Sequence, residues 1–247
     1  MALLKTKNFE LAVYTKGNSK SSKLAIVIPG RLDTKDYVHN TILVDYLADN
    51  GYLALSFDAP GIWESFGGIE LYTITNCLKA VNELIEYFGN KPTVLSGHSN
   101  GGTIAMLVGP NNPHVTHIIS IFSHYGISDK PEEKRIINGA VISYRDLPPG
   151  TERTEKKKKF ELPLGYFEDG AQYNALPGLK KCHKPKLFLY GTRDALIGPE
   201  GVKKAFKESA TPKFIQAVDS EHDYRLSPHI IEEINQKIGE FLFSTDN

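Results

Sequence analysis

One serine in the chain has neighbours that suit it to act as a nucleophile. Ser99 lies in Gly97-His98-Ser99-Asn100-Gly101, between an apolar run that predicts a strand and one that predicts a helix. A serine at such a sharp turn is lifted out of the path of the chain, at the positive end of the helix. Glycine suits the flanking positions because neighbouring backbone comes too close there for a side chain. We therefore predict a nucleophilic serine; the alternative is a glycine-rich turn without chemistry.

A histidine and an aspartate are placed to activate that serine, whose hydroxyl needs a base that is itself held by an acceptor. Of eight histidines, His222 stands between the last predicted strand and the last predicted helix, which makes it the candidate base. Asp194 follows the preceding strand and is the candidate acid. Asp219 and Asp223 compete for that role, but both lie too near His222 in sequence to orient its ring. Ser99, Asp194 and His222 each stand at the carboxyl end of a predicted strand, where the ends of parallel strands meet.

The elements that would position these residues alternate between strand and helix. Apolar runs and weaker alternation predict strands over residues 8–15, 24–28, 52–57, 93–95, 117–122, 186–190 and 213–218. Helical periodicity predicts helices over residues 36–50 and 76–88, from the glycines after Ser99 through residue 108, and over residues 228–243. Strands that alternate with helices build a mostly parallel sheet with helices on both faces. The sequence therefore predicts an α/β fold.

A long segment interrupts this alternation. About sixty residues separate two of the predicted strands, whereas ordinary connections have roughly 4–6 residues. The last part of the segment, residues 166–179, can form a core helix. We expect one domain, residues 1–247, with a lid insertion at about 127–165; a disordered or decorative insertion is the alternative. The run Lys156–Lys159 is expected to be a solvated surface because like charges repel.

Composition argues against several classes of function. Lys and Arg number 29, as do Asp and Glu, so no overall field favours nucleic acid or an anionic membrane. Cys77 and Cys182 lie too far apart in sequence for a disulfide framework or a zinc site, and we expect two buried thiols. The chain has neither an H-E-x-x-H nor a G-x-x-x-x-G-K-[ST] motif, so no metal and no cofactor are predicted. It has no apolar run long enough for a secretory signal or a membrane span, so we expect a cytoplasmic protein that acts on a small molecule; its oligomeric state is not indicated.

Four segments resemble motifs of the α/β-hydrolase superfamily, and the likeness covers nearly the whole chain. They are Ile26-Val-Ile-Pro-Gly-Arg-Leu32, Ser56-Phe-Asp-Ala-Pro-Gly-Ile-Trp-Glu-Ser65, Gly191-Thr-Arg-Asp-Ala-Leu-Ile-Gly-Pro-Glu200 and Asp219-Ser-Glu-His222. The order of serine, aspartate and histidine along the chain also matches that superfamily. The resemblance implies an oxyanion hole formed by the main-chain N–H groups of Asn100 and Arg31, with Leu32 as the alternative to Arg31.

The chemistry that this resemblance implies is acyl-transfer hydrolysis. Ser99 would attack an ester-like carbonyl, His222 would take its proton and later activate water, and Asp194 would stabilise the imidazolium. We expect a carboxylesterase of small or medium substrates. A thioesterase, lipase, carbon–carbon bond hydrolase or peptidase uses the same constellation, and a non-catalytic ligand-binding relative is the alternative from another class. The guanidinium of Arg31 could face a substrate carboxylate or form a surface salt bridge.

Overall fold

Two β-sheets of unequal size organise the computed structural model, which describes residues 2–126 and 131–245. The strands are β1 (Ala2–Lys5), β2 (Glu10–Lys16), β3 (Leu24–Ile28), β4 (Leu53–Phe57), β5 (Thr93–His98), β6 (Val115–Ile121), β7 (Ile136–Ile137), β8 (Ala140–Asp146), β9 (Lys157–Pro163), β10 (Lys186–Gly191) and β11 (Lys213–Val218). The large sheet has eight strands in the order β1-β2-β4-β3-β5-β6-β10-β11. β1 and β2 are antiparallel to their neighbours, and the other six strands are parallel. This confirms the predicted mostly parallel sheet.

Helices cover both faces of the large sheet. They are α1 (Val38–Asp49), α2 (Ile74–Tyr87), α3 (Asn100–Val108), α4 (Leu164–Ala171), α5 (Leu176–Leu179), α6 (Pro199–Glu208) and α7 (Pro228–Thr245). α1 and α7 contribute their apolar side chains to one core, and α2, α3 and α6 contribute theirs to the other. The two cores lie on opposite faces of the sheet, so the predicted α/β architecture is confirmed.

The central strands are continuous apolar runs because both of their faces are buried. All five residues of β3 are buried, and successive side chains of a strand point to opposite faces. Leu24, Ile26 and Ile28 accordingly belong to the core under α2 and α3. Ala25 and Val27 belong to the core under α1 and α7. The run thus places β3 in the middle of the sheet, where its carboxyl end lies beside that of β5.

The long segment contains regular structure that the sequence pattern did not reveal. β7, β8 and β9 form a small antiparallel sheet in the order β7-β8-β9. The helix expected over residues 166–179 is in fact two helices, α4 and α5, and the main-chain N–H of Ala175 between them donates to the carbonyl of Tyr125. That hydrogen bond, together with Pro177 in the first turn of α5, breaks the helical path. Residues 127–130, where the predicted lid would begin, lie outside the described residues.

Two smaller expectations concern cysteines and membranes. Cys77 and Cys182 are both buried and unbridged, which confirms the expected thiols. Within the described ranges, none of the helices combines the length and apolar character that crossing a membrane requires.

Candidate active site

Ser99 lies at the turn between β5 and α3, in a backbone conformation that residues with side chains rarely adopt. Its φ is 54° and its ψ is −123°, and such strain typically costs about 1–3 kcal/mol in a non-glycine residue. The turn is so tight that a Cβ on Gly97 would overlap the main chain of Gly101. A Cβ on Gly101 would in turn overlap the carbonyl oxygen of Ile28. The glycines therefore make room for a strained turn that presents the hydroxyl of Ser99.

The side chains of Ser99, His222 and Asp194 form one line of hydrogen bonds. Ser99 Oγ lies 3.0 Å from Nε2 of His222, and Nδ1 of His222 lies 2.8 Å from Oδ2 of Asp194. A carboxylate beside Nδ1 requires the proton to sit on that nitrogen, which leaves Nε2 able to accept the proton of the serine. Ser99 follows β5, Asp194 follows β10 and His222 follows β11. The carboxyl ends of these parallel strands thus bring together the three residues singled out in the sequence.

Asp194 is held as a carboxylate behind the histidine. Asp194 is 5% exposed to solvent, and burial alone would raise the pKa of its carboxyl group. The hydrogen bond from His222 and the main-chain N–H groups of Ile197 and Leu196, at 3.0 and 2.9 Å, outweigh that effect and hold the pKa of Asp194 below its ordinary value. A fixed negative charge at this point stabilises a protonated imidazole.

The competing aspartates have other partners. Asp219 is exposed and accepts hydrogen bonds from Arg193 at 2.9 Å and from the hydroxyl of Thr192 at 3.0 Å. Asp223 lies 3.5 Å from the guanidinium of Arg153 at the surface. Within the part of the chain that the structure describes, Asp194 is therefore the carboxylate that holds the ring of His222.

A buried histidine supports the loop that carries His222. Nε2 of His98 lies 3.0 Å from the main-chain oxygen of His222. Because a carbonyl can only accept, Nε2 must carry the proton and Nδ1 must be bare. Burial lowers the pKa of His98 well below its ordinary value, so the ring is neutral. His98 acts on the loop of the candidate base and does not contact the hydroxyl of Ser99.

Three side chains behind this loop form a group that could hold a metal ion. Asp33, His39 and His98 each offer a ligand atom within 4.8 Å of the others. Neither ring nitrogen of His39 has a hydrogen-bond partner among the described residues. Burial lowers the pKa of His39 to about 3, so its ring is neutral, as a metal ligand must be. The pattern of the sequence did not reveal this group because its members come from the turn after β3, the start of α1 and the end of β5.

The turn after β3 presents main-chain N–H groups beside Ser99. The N–H of Leu32 donates to the hydroxyl of Tyr72 at 2.8 Å and is therefore already used. The N–H groups of Arg31 and Asn100 donate to no other group in residues 2–126 and 131–245, and both residues line a cavity at Ser99. Arg31 and Leu32 are the alternatives for the second N–H donor of the expected oxyanion hole. Of these two, the N–H of Arg31 is the one that is free to donate to a ligand.

Neighbouring side chains hold this turn in place. The guanidinium of Arg145 donates to the carbonyl oxygen of Arg31 at 2.7 and 3.1 Å. The indole N–H of Trp63 donates to the carbonyl oxygen of Leu32 at 2.9 Å. Sequence reasoning missed Tyr72 and Arg145 because their contribution is a contact with main-chain atoms far away in sequence. Because a carbonyl shares a rigid plane with the N–H of the next residue, these hydrogen bonds fix the N–H groups of Leu32 and Asp33 and hold the turn in one conformation.

Two cavities meet at Ser99. One has a volume of about 270 Å³ and is lined by Arg31, Ser99, Asn100, Tyr166, Phe167 and Ile197 with four further residues. The other, of about 310 Å³, contains His222 and most of the charged side chains near the site, Arg145 and Asp146 among them. Ligand pockets of proteins typically measure roughly 300–1,000 Å³. The two cavities together thus fit a small or medium ligand placed across Ser99.

Several known proteins are similar to this chain. The sequence of this chain is 23% identical over 187 residues to the bovine palmitoyl-protein thioesterase ABHD10, mitochondrial. The matched stretch covers 70% of this chain and 57% of that protein. It is 25% identical over 146 residues to the mouse protein of the same name, covering 59% of this chain and 46% of that one. The chain thus spans about half the length of these curated relatives.

Solved structures share the fold. Est1E from Butyrivibrio proteoclasticus, with ferulic acid bound, superposes with a TM-score of 0.78 at 17% identity, over 99% of both chains. Mouse alpha/beta hydrolase domain-containing protein 10 superposes with a TM-score of 0.77 at 17% identity, over 98% of both chains. At such identities the likeness shows the fold alone. The family model for the alpha/beta hydrolase fold matches residues 25–165, more than half of the sequence, and the chain therefore belongs to that family.

Proposed function

We propose that this protein is a serine hydrolase that cleaves ester-like bonds through an acyl-enzyme. The observation that carries the proposal is the line of hydrogen bonds from Ser99 through His222 to Asp194. A histidine in the right tautomer, held by a buried carboxylate, is the arrangement that activates a serine hydroxyl. A ligand-binding protein has no need of this arrangement.

Each residue has one part in the proposed reaction. Ser99 Oγ attacks the carbonyl carbon while Nε2 of His222 takes its proton, and the charge of Asp194 stabilises the resulting imidazolium. The main-chain N–H groups of Arg31 and Asn100 donate to the oxygen that becomes negative. The bond from the carbonyl carbon to the leaving group then breaks, the imidazolium gives that group its proton, and the acyl group stays on Ser99 Oγ. Water, deprotonated by His222, releases the acid and restores the hydroxyl.

The bond cleaved is proposed to be a carboxylic ester of a small or medium substrate. The sizes of the two cavities at Ser99 support such a substrate. A thioester is the second candidate, because the curated relatives are named palmitoyl-protein thioesterases. The same serine and histidine serve both bonds, so the choice depends on the cavities and not on the nucleophile. The cytoplasmic location stays a prediction.

We also propose that the insertion at about 127–165 acts as a lid. Its residues Arg145, Asp146, Arg153 and Lys157 line the larger cavity at Ser99. The hydrogen bonds from Arg145 to the carbonyl of Arg31 tie the insertion to the turn that carries a proposed oxyanion donor. Movement of the small sheet would therefore change both the access to Ser99 and the position of that donor.

A fluorophosphonate probe tests the proposed nucleophile directly. The wild-type protein should be labelled, and Ser99→Ala should abolish both labelling and hydrolysis of p-nitrophenyl butyrate. Ser96→Ala is the matched control, since Ser96 is buried in β5, the strand that leads to Ser99, and its hydroxyl has no hydrogen-bond partner in the described part of the chain. It should retain labelling. Folded wild-type protein that is neither labelled nor active would favour the ligand-binding alternative.

The same assay distinguishes the two candidate bonds. O-Butyryl-N-acetylethanolamine and S-butyryl-N-acetylcysteamine share the acyl group and the rest of the leaving group and differ in the atom that leaves. A kcat/KM higher for the oxygen ester supports the carboxylesterase, and one higher for the thioester supports the thioesterase.

A further inference from the structure

One cation beside Ser99 has no anionic partner among the described residues. Arg31 is partly buried and lines both cavities that meet at the serine. None of the ion pairs among the described residues includes its guanidinium. The alternative, a surface salt bridge of Arg31, is therefore not found among residues 2–126 and 131–245. A partly desolvated guanidinium without a partner is a site for a carboxylate or another oxyanion.

The charges around the larger cavity leave an excess of cations. Its lining contains the cations Arg31, Arg145, Arg153, Lys157 and Arg225, and the carboxylates Asp33, Asp146 and Asp223. Each carboxylate already has a cation: Asp33 lies 3.6 Å from Arg145, Asp146 lies 2.6 Å from Arg225, and Asp223 lies 3.5 Å from Arg153. Lys157, at 3.8 Å, shares Asp146 with Arg225. Each described carboxylate of the cavity thus pairs with a cation other than Arg31.

Among its described lining residues, Arg31 is the one Arg, Lys, Asp or Glu of the smaller cavity. Tyr166, Phe167, Leu196 and Ile197 contribute aromatic and aliphatic surface to its wall. Burial raises the pKa of Tyr166, and the charge of Arg31, which lines the same cavity, offsets part of that rise. Asn100, Thr103 and His124 add polar groups to the same wall, so the cavity suits a molecule with both apolar and polar parts that carries an anion.

We infer that the guanidinium of Arg31 binds an anionic group of the substrate, so that the preferred substrates are esters or thioesters carrying a carboxylate near the scissile carbonyl. The inference rests on the proposed function, and it adds a residue that determines substrate choice. The main chain of Arg31 and its side chain then have separate tasks. The N–H faces the reacting oxygen, and the guanidinium holds a second, charged end of the same molecule.

Two pairs of substrates test the inference, one for each side of the scissile bond. In the acyl pair, phenyl hydrogen adipate is compared with its primary amide, phenyl 5-carbamoylpentanoate. In the leaving-group pair, S-acetyl-3-mercaptopropanoate is compared with S-acetyl-3-mercaptopropanamide. The members of each pair have nearly the same size and differ in charge. Wild-type protein should favour the carboxylate in at least one pair by about tenfold or more in kcat/KM, the size of one charge-assisted hydrogen-bond pair.

Substitution of Arg31 should remove that preference. Arg31→Gln should lower the carboxylate-to-amide ratio about tenfold, and Arg31→Lys should restore part of it, because lysine keeps the charge and loses the fork of donors. The ratio is the readout, so a general change in activity does not affect it. Arg153→Gln is the control, because it also removes one cation from the lining, at a side chain 67% exposed and paired with Asp223. Its ratio should stay within about twofold of the wild-type value if a specific contact, and not a diffuse field, is responsible.

A binding measurement separates this inference from the proposed function. Ser99→Ala protein, with and without Arg31→Gln, is titrated with 5-carbamoylpentanoate and with adipamide in a calorimeter. The carboxylate should bind more tightly than the amide, and Arg31→Gln should weaken it about tenfold. Equal or undetectable binding of the two ligands, or ratios that Arg31→Gln leaves unchanged, would overturn the inference. If the wild-type protein showed no esterase activity, the proposed function would be refuted instead, and the titration would still decide whether Arg31 binds a carboxylate.

Discussion

Replacing Asp194 by asparagine should remove nearly all activity although the two side chains have the same shape. One carboxylate oxygen of Asp194 accepts from the main-chain N–H groups of Leu196 and Ile197, and the other accepts from His222. Asparagine has one oxygen and one NH₂ group, and the two main-chain donors hold the oxygen on their side. The NH₂ group then faces Nδ1 of His222 and donates to it. The ring must therefore carry its own proton on Nε2.

That tautomer cannot accept the proton of Ser99. Its N–H points at a hydroxyl 3.0 Å away and leaves no lone pair on Nε2 for the reaction. In a serine protease with the same arrangement of groups, this substitution lowers kcat about ten-thousand-fold. A loss of that size corresponds to about 5.4 kcal/mol of transition-state stabilisation. Because Asp194 has the same single contact with the base here, we expect a loss of about a thousand- to ten-thousand-fold.

The measurement is kcat for p-nitrophenyl butyrate at neutral pH, together with a thermal melt that reports folding. Asp219→Asn is the matched control, since Asp219 is exposed and bonded to Arg193 and Thr192 instead of to His222. It should keep kcat within about twofold of the wild-type value. If folded Asp194→Asn protein retained more than a tenth of the wild-type kcat, the assignment of Asp194 as the group that fixes the tautomer of His222 would be wrong.

Two further predictions concern stability. Gly101→Ala should lower the free energy of unfolding by several kcal/mol in a urea titration, because the new Cβ would overlap the carbonyl oxygen of Ile28. Gly165→Ala in α4 is the control. Its Cβ meets nothing within 4 Å, so it should be neutral or stabilise the fold by about 0.5–1 kcal/mol. Asp146→Asn should cost about 3 kcal/mol in the same titration, because it leaves the buried guanidinium of Arg225 without its carboxylate. Burial opposes ionisation of Asp146, but the hydrogen bond from Arg225 outweighs it and lowers the pKa. The stability contributed by this pair should therefore be present at neutral pH and be lost as the pH falls below the ordinary aspartate pKa of about 3.9. The prediction would be wrong if the melting temperature of Asp146→Asn differed from that of the wild type by the same amount at neutral and at strongly acidic pH.

The parts of the fold that could be predicted from sequence are those whose burial is complete. Leu24–Ile28 is a strand in the sequence pattern and in the structure because both of its faces require apolar residues. The helix Pro199–Glu208 was not predicted, since Val202 and Ala205 are its buried residues and charged residues occupy much of the remainder. Two buried positions give too weak a period to stand out from a polar loop.

The lysine run shows a different reason for a missed element. Lys157–Pro163 is a strand, although like charges at its start favour a solvated loop. Lys157 and Lys159 point to solvent, and Lys158 lies over the rings of Trp63 and Phe160, at 4.8 and 5.3 Å from their centroids. The expected solvation is right for most of the run. The strand forms because Phe160 and Leu162 face inward, a pairing that depends on a partner strand and a distant tryptophan.

The candidate site divides along a similar line. Ser99, Asp194 and His222 could be found because each is a distinctive residue type placed after a predicted strand, and parallel strands end at one edge. Tyr72, Arg145 and His98 could not be found, because they act on main-chain atoms of other segments. A hydrogen bond to a main-chain carbonyl or amide does not depend on the residue type that carries it, so the sequence does not indicate it. Such supporting contacts become visible only when the chain is folded.

The second oxyanion donor shows most clearly what structure adds to sequence. Every residue except proline has a main-chain N–H, so residue types alone could not choose between Arg31 and Leu32. The choice follows from a competitor: the hydroxyl of Tyr72 accepts the N–H of Leu32. Arg145 holds the carbonyl of Arg31, which shares a rigid peptide plane with the N–H of Leu32, so that N–H cannot turn toward Ser99 without breaking three hydrogen bonds. That cost is the physical reason for assigning the proposed role to Arg31.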